Sequence, residues 1–295
     1  MASIREMRLR IKSVKSLSQV TKALETVSAS KVRKAVQANS ASKPYAEKSW
    51  KVLLHLARQP GRNSLHPLLT ERQEIKKVLV IMVTGDRGLA GSYNVNILRN
   101  TLIHFDDLGY PVSYICIGRK GRDLLLRRKE RVIADFSDLP NPATFLEISP
   151  ISRMAVTKFL NYEFDKVFIS YTQFNSMTNQ QPVIRQILPL EIDFSGKGFN
   201  VVHSTQKAVF SYEPDSHVIL DEVIPRFTAM QIFQAVLSAQ ASEHAARMMA
   251  MSNATTNANE LVGLLTLQYN KARQQAITSD MLDIVGGAAA QLINE

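Results

Sequence analysis

Cysteine, uninterrupted apolar runs and late prolines are scarce in this chain of 295 residues, and each scarcity excludes something. A single cysteine, Cys116, rules out an internal disulfide framework and fits a reducing compartment. It sits in the apolar run Tyr114-Ile115-Cys116-Ile117 and reads as a small core residue. No run approaches the roughly 18 apolar residues that a membrane span requires. The six histidines lack metal-ligand spacing, and no Gly-x-Ser-x-Gly elbow occurs, so neither a metal centre nor a nucleophile is expected. No proline follows Pro225. Acidic residues are scarce near the start, where thirteen Lys and Arg in residues 1–60 face only Glu6, Glu25 and Glu47. The whole net charge of +10 therefore lies in that segment. Although Arg-rich and Ser-rich, it reads as mature protein and not as a transit peptide.

From Ser3 to about Arg58, apolar residues recur at steps of three and four: Ile4, Met7, Ile11, Val14, Leu17, Val20, Leu24, Val27. This stripe predicts a long helix with a coiled-coil seam whose spacing slips between Val14 and Leu24. Ser3 and Glu6 form a capping-box pattern, and Pro44 predicts a kink or break. At the other end, Phe227–Glu295 is rich in Ala, Leu, Met and Gln, predicting a helix on the order of 100 Å long. Its length and low charge call for a companion. The expected seam there runs through Ile232, Val236, Ala239, Ala246, Ala250, Leu261, Leu265, Ile277, Met281, Ile284, Ala288 and Leu292.

Between the helices the period changes. Strands are expected at Val78–Val83, Val112–Ile117, Val132–Phe136 and Lys166–Thr172, with an edge strand at Val183–Leu190. Helices are expected at about 92–107, 119–129 and 151–162. The alternation implies a parallel α/β sheet. The architecture is thus helix, α/β domain, helix, with boundaries at 1–58, 76–215 and 216–295 and the terminal helices free to pair antiparallel. Gly85-Asp86-Arg87-Gly88-Leu89-Ala90-Gly91 stands where dinucleotide folds hold a pyrophosphate. Its glycine spacing fits neither the dinucleotide nor the Walker form, so a tight turn is the preferred reading.

Two terminal stretches carry a resemblance. Ile11-Lys12-Ser13-Val14, Thr21-Lys22-Ala23-Leu24-Glu25 and Ala29-Ser30-Lys31-Val32-Arg33-Lys34 resemble the first helix of the gamma subunits of F-type ATP synthases. Tyr269 to Gln274 and Ile277 to Ala290 resemble that family's C-terminal signature. Gly85–Gly91 and Tyr212-Glu213-Pro214-Asp215 match as well. Asp280 departs from the family's usual glutamate, and Gly85 from its common serine.

The resemblance implies an antiparallel coiled coil of N- and C-terminal helices with an inserted Rossmann-like α/β domain, acting as the central-stalk rotor. It implies that Arg273, Gln274, Thr278 and Asp280, with Lys22 and Leu24, meet the ring of alpha and beta subunits. Tyr212 and Glu213 would lie at the foot, near the epsilon subunit and the c ring. No catalysis, cofactor, metal or nucleic acid is implied. Membrane association would come through the complex alone, at the cytoplasmic face of a bacterial plasma membrane. The absence of a cysteine pair speaks against the chloroplast redox-regulated type. Two readings compete: a nucleotide-using enzyme at Gly85–Gly91, and a basic coiled-coil binder of nucleic acid.

Overall fold

The structure, a computed structural model, describes residues 4–57, 66–72, 74–190 and 216–293. Chain order is α1 (Ile4–Ala57), a 3₁₀ turn (Pro67–Leu69), β1 (Val78–Val83), α2 (Tyr93–Asp106) and β2 (Val112–Ile117). Then come α3 (Arg119–Arg127), β3 (Val132–Phe136), α4 (Phe145–Leu160), β4 (Lys166–Phe174), β5 (Gln180–Leu188) and α5 (Ser216–Ile293). The chain divides into two compact units, Ser28–Arg247 and Met1–Val27 with Met248–Glu295.

In the first unit the strands form one sheet in the order β3-β2-β1-β4-β5. β1 pairs in parallel with β2 and β4, whereas β5 closes one edge antiparallel to β4. β1 is central and buried along its whole length, which is why it reads as an unbroken apolar run. Its side chains alternate between two cores. Leu79, Ile81 and Val83 join Ile151, Phe159, Phe227, Ile232 and Val236 from α4 and α5 on one face. Val78, Val80 and Met82 join Leu98, Leu102, Phe105 and Leu125 from α2 and α3 on the other. At about 1.5–3 kcal/mol for each large buried side chain, these two layers dominate the unit's stability. Cys116 is fully buried in the second layer, where burial pushes its thiol up to about 12.

Several expectations change in physical terms. α1 runs through Pro44 without a break. One backbone bond is lost at an exposed position, while Ala46 and Trp50, buried just beyond, hold the helix in place. α4 begins at Phe145, six residues earlier than expected, because Thr144 and Glu147 form a capping box that tolerates Pro150 in the following turn. The Ser3 half of the expected capping box lies outside the described residues; Glu6 instead pairs with Arg10 at 2.7 Å.

α5 divides between the units: it contributes Phe227, Met230, Ile232, Val236, Ala239, Ala241 and Ala245 to the buried interior of the first, and from Met248 onward it belongs to the second.

The second unit is the antiparallel helix pair. Ser18 Oγ donates to Asn259 Oδ1 at 2.7 Å, and Thr21 and Thr255 share a hydroxyl bond at 2.7 Å, so α1 ascends as α5 descends. Inward positions on α1 are Ile4, Met7, Ile11, Val14, Ser18 and Thr21. On α5 they are Ala272, Tyr269, Leu265, Val262, Ala258 and Thr255. Both sets step by three and four, mirrored in direction, which is a regular heptad seam. The expected slip after Val14 is therefore absent. The seam keeps its period but turns polar, and Leu17, Val20 and Val27 point outward, each more than half exposed. Leu261, Ile277, Met281 and Ile284 are likewise exposed and not in the seam; Ala288 and Leu292 fall where side chains are not described.

Candidate functional site: a filled crevice and a bare helix end

In an open α/β sheet, ligands bind beyond the carboxyl ends of the parallel strands, where the strand order reverses. Here that position, above β1 and β4, is occupied by the chain's own α5. Tyr93 donates its hydroxyl to Ala239 O at 3.2 Å, Ser242 donates to Thr172 O at 3.0 Å, and Phe174 N donates to Ser238 Oγ at 2.9 Å. Gln240 bridges Ala143 N and Pro140 O at 3.0 and 2.9 Å.

The glycine loop is gripped in the same way. Arg247, 8% exposed, donates from Nε to Gly88 O at 3.2 Å and from Nη2 to Arg87 O at 3.4 Å. Its Nη2 also meets Glu243 Oε1 at 2.5 Å. Burial raises the Glu243 carboxyl above its ordinary range, and the charge of Arg247 opposes that rise. Arg247 Nη1 lies 3.0 Å from His244 Nδ1, so Nδ1 accepts, and Nε2 lies against the Asn141 side chain. Burial first, then Arg247 and Lys31, bring His244 down to about 3, so the imidazole is neutral.

Two glycines in this region have a steric reason. A Cβ on Gly85 would stand 2.7 Å from Glu243 Cδ, and one on Gly118, at φ +100°, would stand 2.3 Å from Thr84 O. The donors that a phosphate would need are also engaged. Gly85 N bonds Asn94 Oδ1 at 2.9 Å. At the start of α3, Arg119 N bonds Asp86 Oδ1 at 3.0 Å, so the protein's own carboxylate takes the anion position. The loop is thus a socket for α5.

Of the residues expected to make contacts, Lys22 and Leu24 lie on α1 in the helix pair. Lys22 Nζ is 3.1 Å from Glu25 Oε1, while its side chain stays 63% exposed. Counting the seam down from Thr21 and Thr255 puts Ile4, where α1 begins, level with Ala272. Arg273, Gln274, Thr278 and Asp280 lie beyond that level and are all exposed. Thr278 donates its hydroxyl to Gln274 O at 2.9 Å, an internal bond that leaves the surrounding surface open. Residues 277–286 are exposed without exception, including Ile277, Met281, Leu282, Ile284 and Val285. Tyr212 and Glu213 lie outside the described residues. The Arg247, Glu243 and His244 cluster was not anticipated; the signal available was three ionisable residues within an otherwise uncharged helical stretch.

Among the described residues, no helix is long and apolar enough to cross a membrane, and no group of three or more His, Cys, Asp or Glu is placed to hold a metal ion.

A mixed sheet bracketed in the chain by two long helices is a fold that solved structures share. A chain of the Euglena gracilis mitochondrial ATP synthase rotor, in rotational state 1, aligns with TM-score 0.61 at 18% identity, over 93% of this chain and 98% of that one. A chain of the same organism's OSCP/F1/c-ring structure, in rotational state 3, aligns with TM-score 0.66 at 19% identity, over 98% and 94%. In sequence, the ATP synthase gamma chain of Dehalococcoides mccartyi is 44% identical over 291 residues, covering 98% of this chain and 99% of the relative. The ATP synthase family profile matches residues 3–291. The chain belongs to the ATP synthase gamma-chain family.

Proposed function

We propose that the chain is the central-stalk rotor subunit of an F-type ATP synthase and performs no chemistry itself. It couples rotation of the membrane c ring, driven by proton flow, to the conformational cycle of catalytic beta subunits. The observation that carries this reading is the end of α5, where five large apolar side chains stand exposed past the level of Ile4. An exposed apolar surface of this kind marks an interaction site, and a sleeve of surrounding subunits would cover it. The parts divide the work. Residues 1–27 and 248–295 are the shaft, and residues 28–247, which include the sheet, are the head.

Lys22, Leu24, Arg273, Gln274, Thr278 and Asp280 face the alpha and beta subunits. Tyr212 and Glu213 meet the epsilon subunit and the c ring. The complex holds the chain at the cytoplasmic face of a bacterial plasma membrane as a peripheral component. A shaft drives its neighbours only through contacts that favour one conformation over another. An asymmetric helix pair supplies a different face to each beta subunit at each angle. The filled crevice and the engaged glycine loop support a structural role for the region where a nucleotide would otherwise bind.

The test is reconstitution. The chain restores ATPase activity to alpha and beta subunits and copurifies with them, and Leu24→Lys lowers ATP-driven proton pumping. Tight, stoichiometric ATP binding by the isolated chain, or failure to assemble with alpha and beta, would sink the proposal. Unchanged pumping in the Leu24→Lys variant would remove that residue from the contact surface.

A further inference from the structure

We infer that the second unit opens on its own while the first stays folded, and that it becomes a rigid shaft only when other subunits surround it. What each unit buries separates them. The first holds an apolar layer on either face of its sheet. In the second, across 4–27 and 248–286, the buried residues are Thr21, Met251 and Ala258. Met251 is thus the one large apolar side chain out of water there, among the described residues. The seam positions Ile4, Met7, Ile11, Val14, Val262 and Leu265 are only half-buried. Helices in proteins owe most of their stability to a packed face, and here that face is half wet.

Polar interactions do not make up the difference. The hydroxyl bonds Ser18–Asn259 and Thr21–Thr255 cross the pair within a single turn of α1. The ion pairs Glu6–Arg10 and Lys22–Glu25 both lie within α1 and tie nothing to α5. Residues 4–27 carry six Lys and Arg against Glu6 and Glu25. Arg8, Lys12 and Lys15 follow one another at steps of four and three, all exposed. Like charges at that spacing oppose the helix. A weak seam beside a self-repelling arm makes a segment that opens below the global free energy. Covering Leu17, Val20, Leu261 and Leu264, which are 45–61% exposed, orders it. Insertion into a sleeve is then coupled folding. That half of the inference rests on the rotor reading; the opening of the free chain does not.

Hydrogen–deuterium exchange of the full chain, resolved by peptide, tests both halves. In the free chain, amides of 4–20 and 258–286 should exchange at least about a hundredfold faster than those of β1 and β4. Added sodium chloride should slow residues 4–20, because screening relieves the repulsion. Lys12→Glu, which sets a carboxylate between Arg8 and Lys15, should slow residues 4–20 about threefold and leave β1 unchanged. On assembly with alpha and beta subunits, the amides of both segments should slow at least about tenfold. Equal exchange in the two units of the free chain overturns independent opening. Faster exchange in salt, or unchanged or faster exchange in the Lys12→Glu variant, overturns the role of the charges. Exchange that stays fast in the assembled complex overturns coupled folding and leaves the rotor reading intact. Failure to assemble sinks the rotor reading, and coupled folding with it, while the free-chain result stands.

Discussion

Two stretches of α5, 227–247 and 277–286, are equally helical and each carries one pair of charged residues, yet they live in opposite surroundings. The first carries only Glu243 and Arg247 among its acidic and basic residues, and both are bonded inside the first unit. The second carries only Asp280 and Asp283, and every residue in it is exposed. Low charge is therefore not itself a statement about packing. In the first stretch it lets the helix lie in a crevice made by strand ends; in the second it leaves a surface suited to an external sleeve. The difference comes from neighbours, since both stretches are helical and only the first is packed against the sheet.

The contrast can be broken most severely at Arg247. Arg247→Ala leaves Glu243 buried without its counterion and two loop carbonyls without a donor. A loss of about 3–5 kcal/mol is expected, readable as a lower urea midpoint for Trp50 emission. A midpoint within experimental error of the parent would show that α5 is not anchored by this residue.

Acid should act on the same end. His244 falls to about 3 in the fold from about 6.5 unfolded, so the unfolded chain binds the extra proton between those values. Stability is complete above about 6.5 and drops as pH falls toward 3, by about 2 kcal/mol at pH 5. The raised Glu243 carboxyl works in the opposite sense just above its unfolded value and makes the slope shallower. His244→Gln should flatten the profile between pH 6.5 and 5. Parallel profiles for parent and variant would exclude His244 as the source.

The helix pair should respond less. Thr21→Ala removes the hydroxyl contact to Thr255, but Thr255 Oγ1 keeps its bond to Met251 O at 2.9 Å. A cost of about 1 kcal/mol is expected, measured as loss of helix signal on heating; a loss several times larger would mean that the polar step holds the pair together.

Smallest of all, truncation after Ile284 should change the stability of the isolated chain by less than about 0.5 kcal/mol. The same truncation should reduce coupling in the reconstituted enzyme. If it prevented folding, the end of α5 would be part of a core after all.

Much of the fold was legible because its signals are local. β1, β2 and β3 were readable to the residue, since each is a short apolar run bounded by a turn or a helix pattern. α4 starts six residues before its expected start, at a capping box of Thr144 and Glu147 that the sequence reading did not use. The contact positions on the shaft came from resemblance, and the structure places Arg273, Gln274, Thr278 and Asp280 on open helix surface. The Arg247 cluster was not legible, because nothing in Glu243, His244 and Arg247 taken alone says that Gly88, Asn141 and Lys31 will surround them.

By itself, the amino-acid order determined that two long helices would bracket a parallel α/β sheet, because periods of 3.6 and 2 are written residue by residue; that β5 closes the edge antiparallel came from the structure. Only the tertiary structure decided which face of each helix is the seam. Leu17, Val20 and Val27 are the more apolar choice, yet Ser18 and Thr21 lie inside, paired with Asn259 and Thr255. A regular heptad, once set by Ile4, Met7, Ile11 and Val14, carries the later positions inward whatever their polarity, provided that each buried hydroxyl finds a partner.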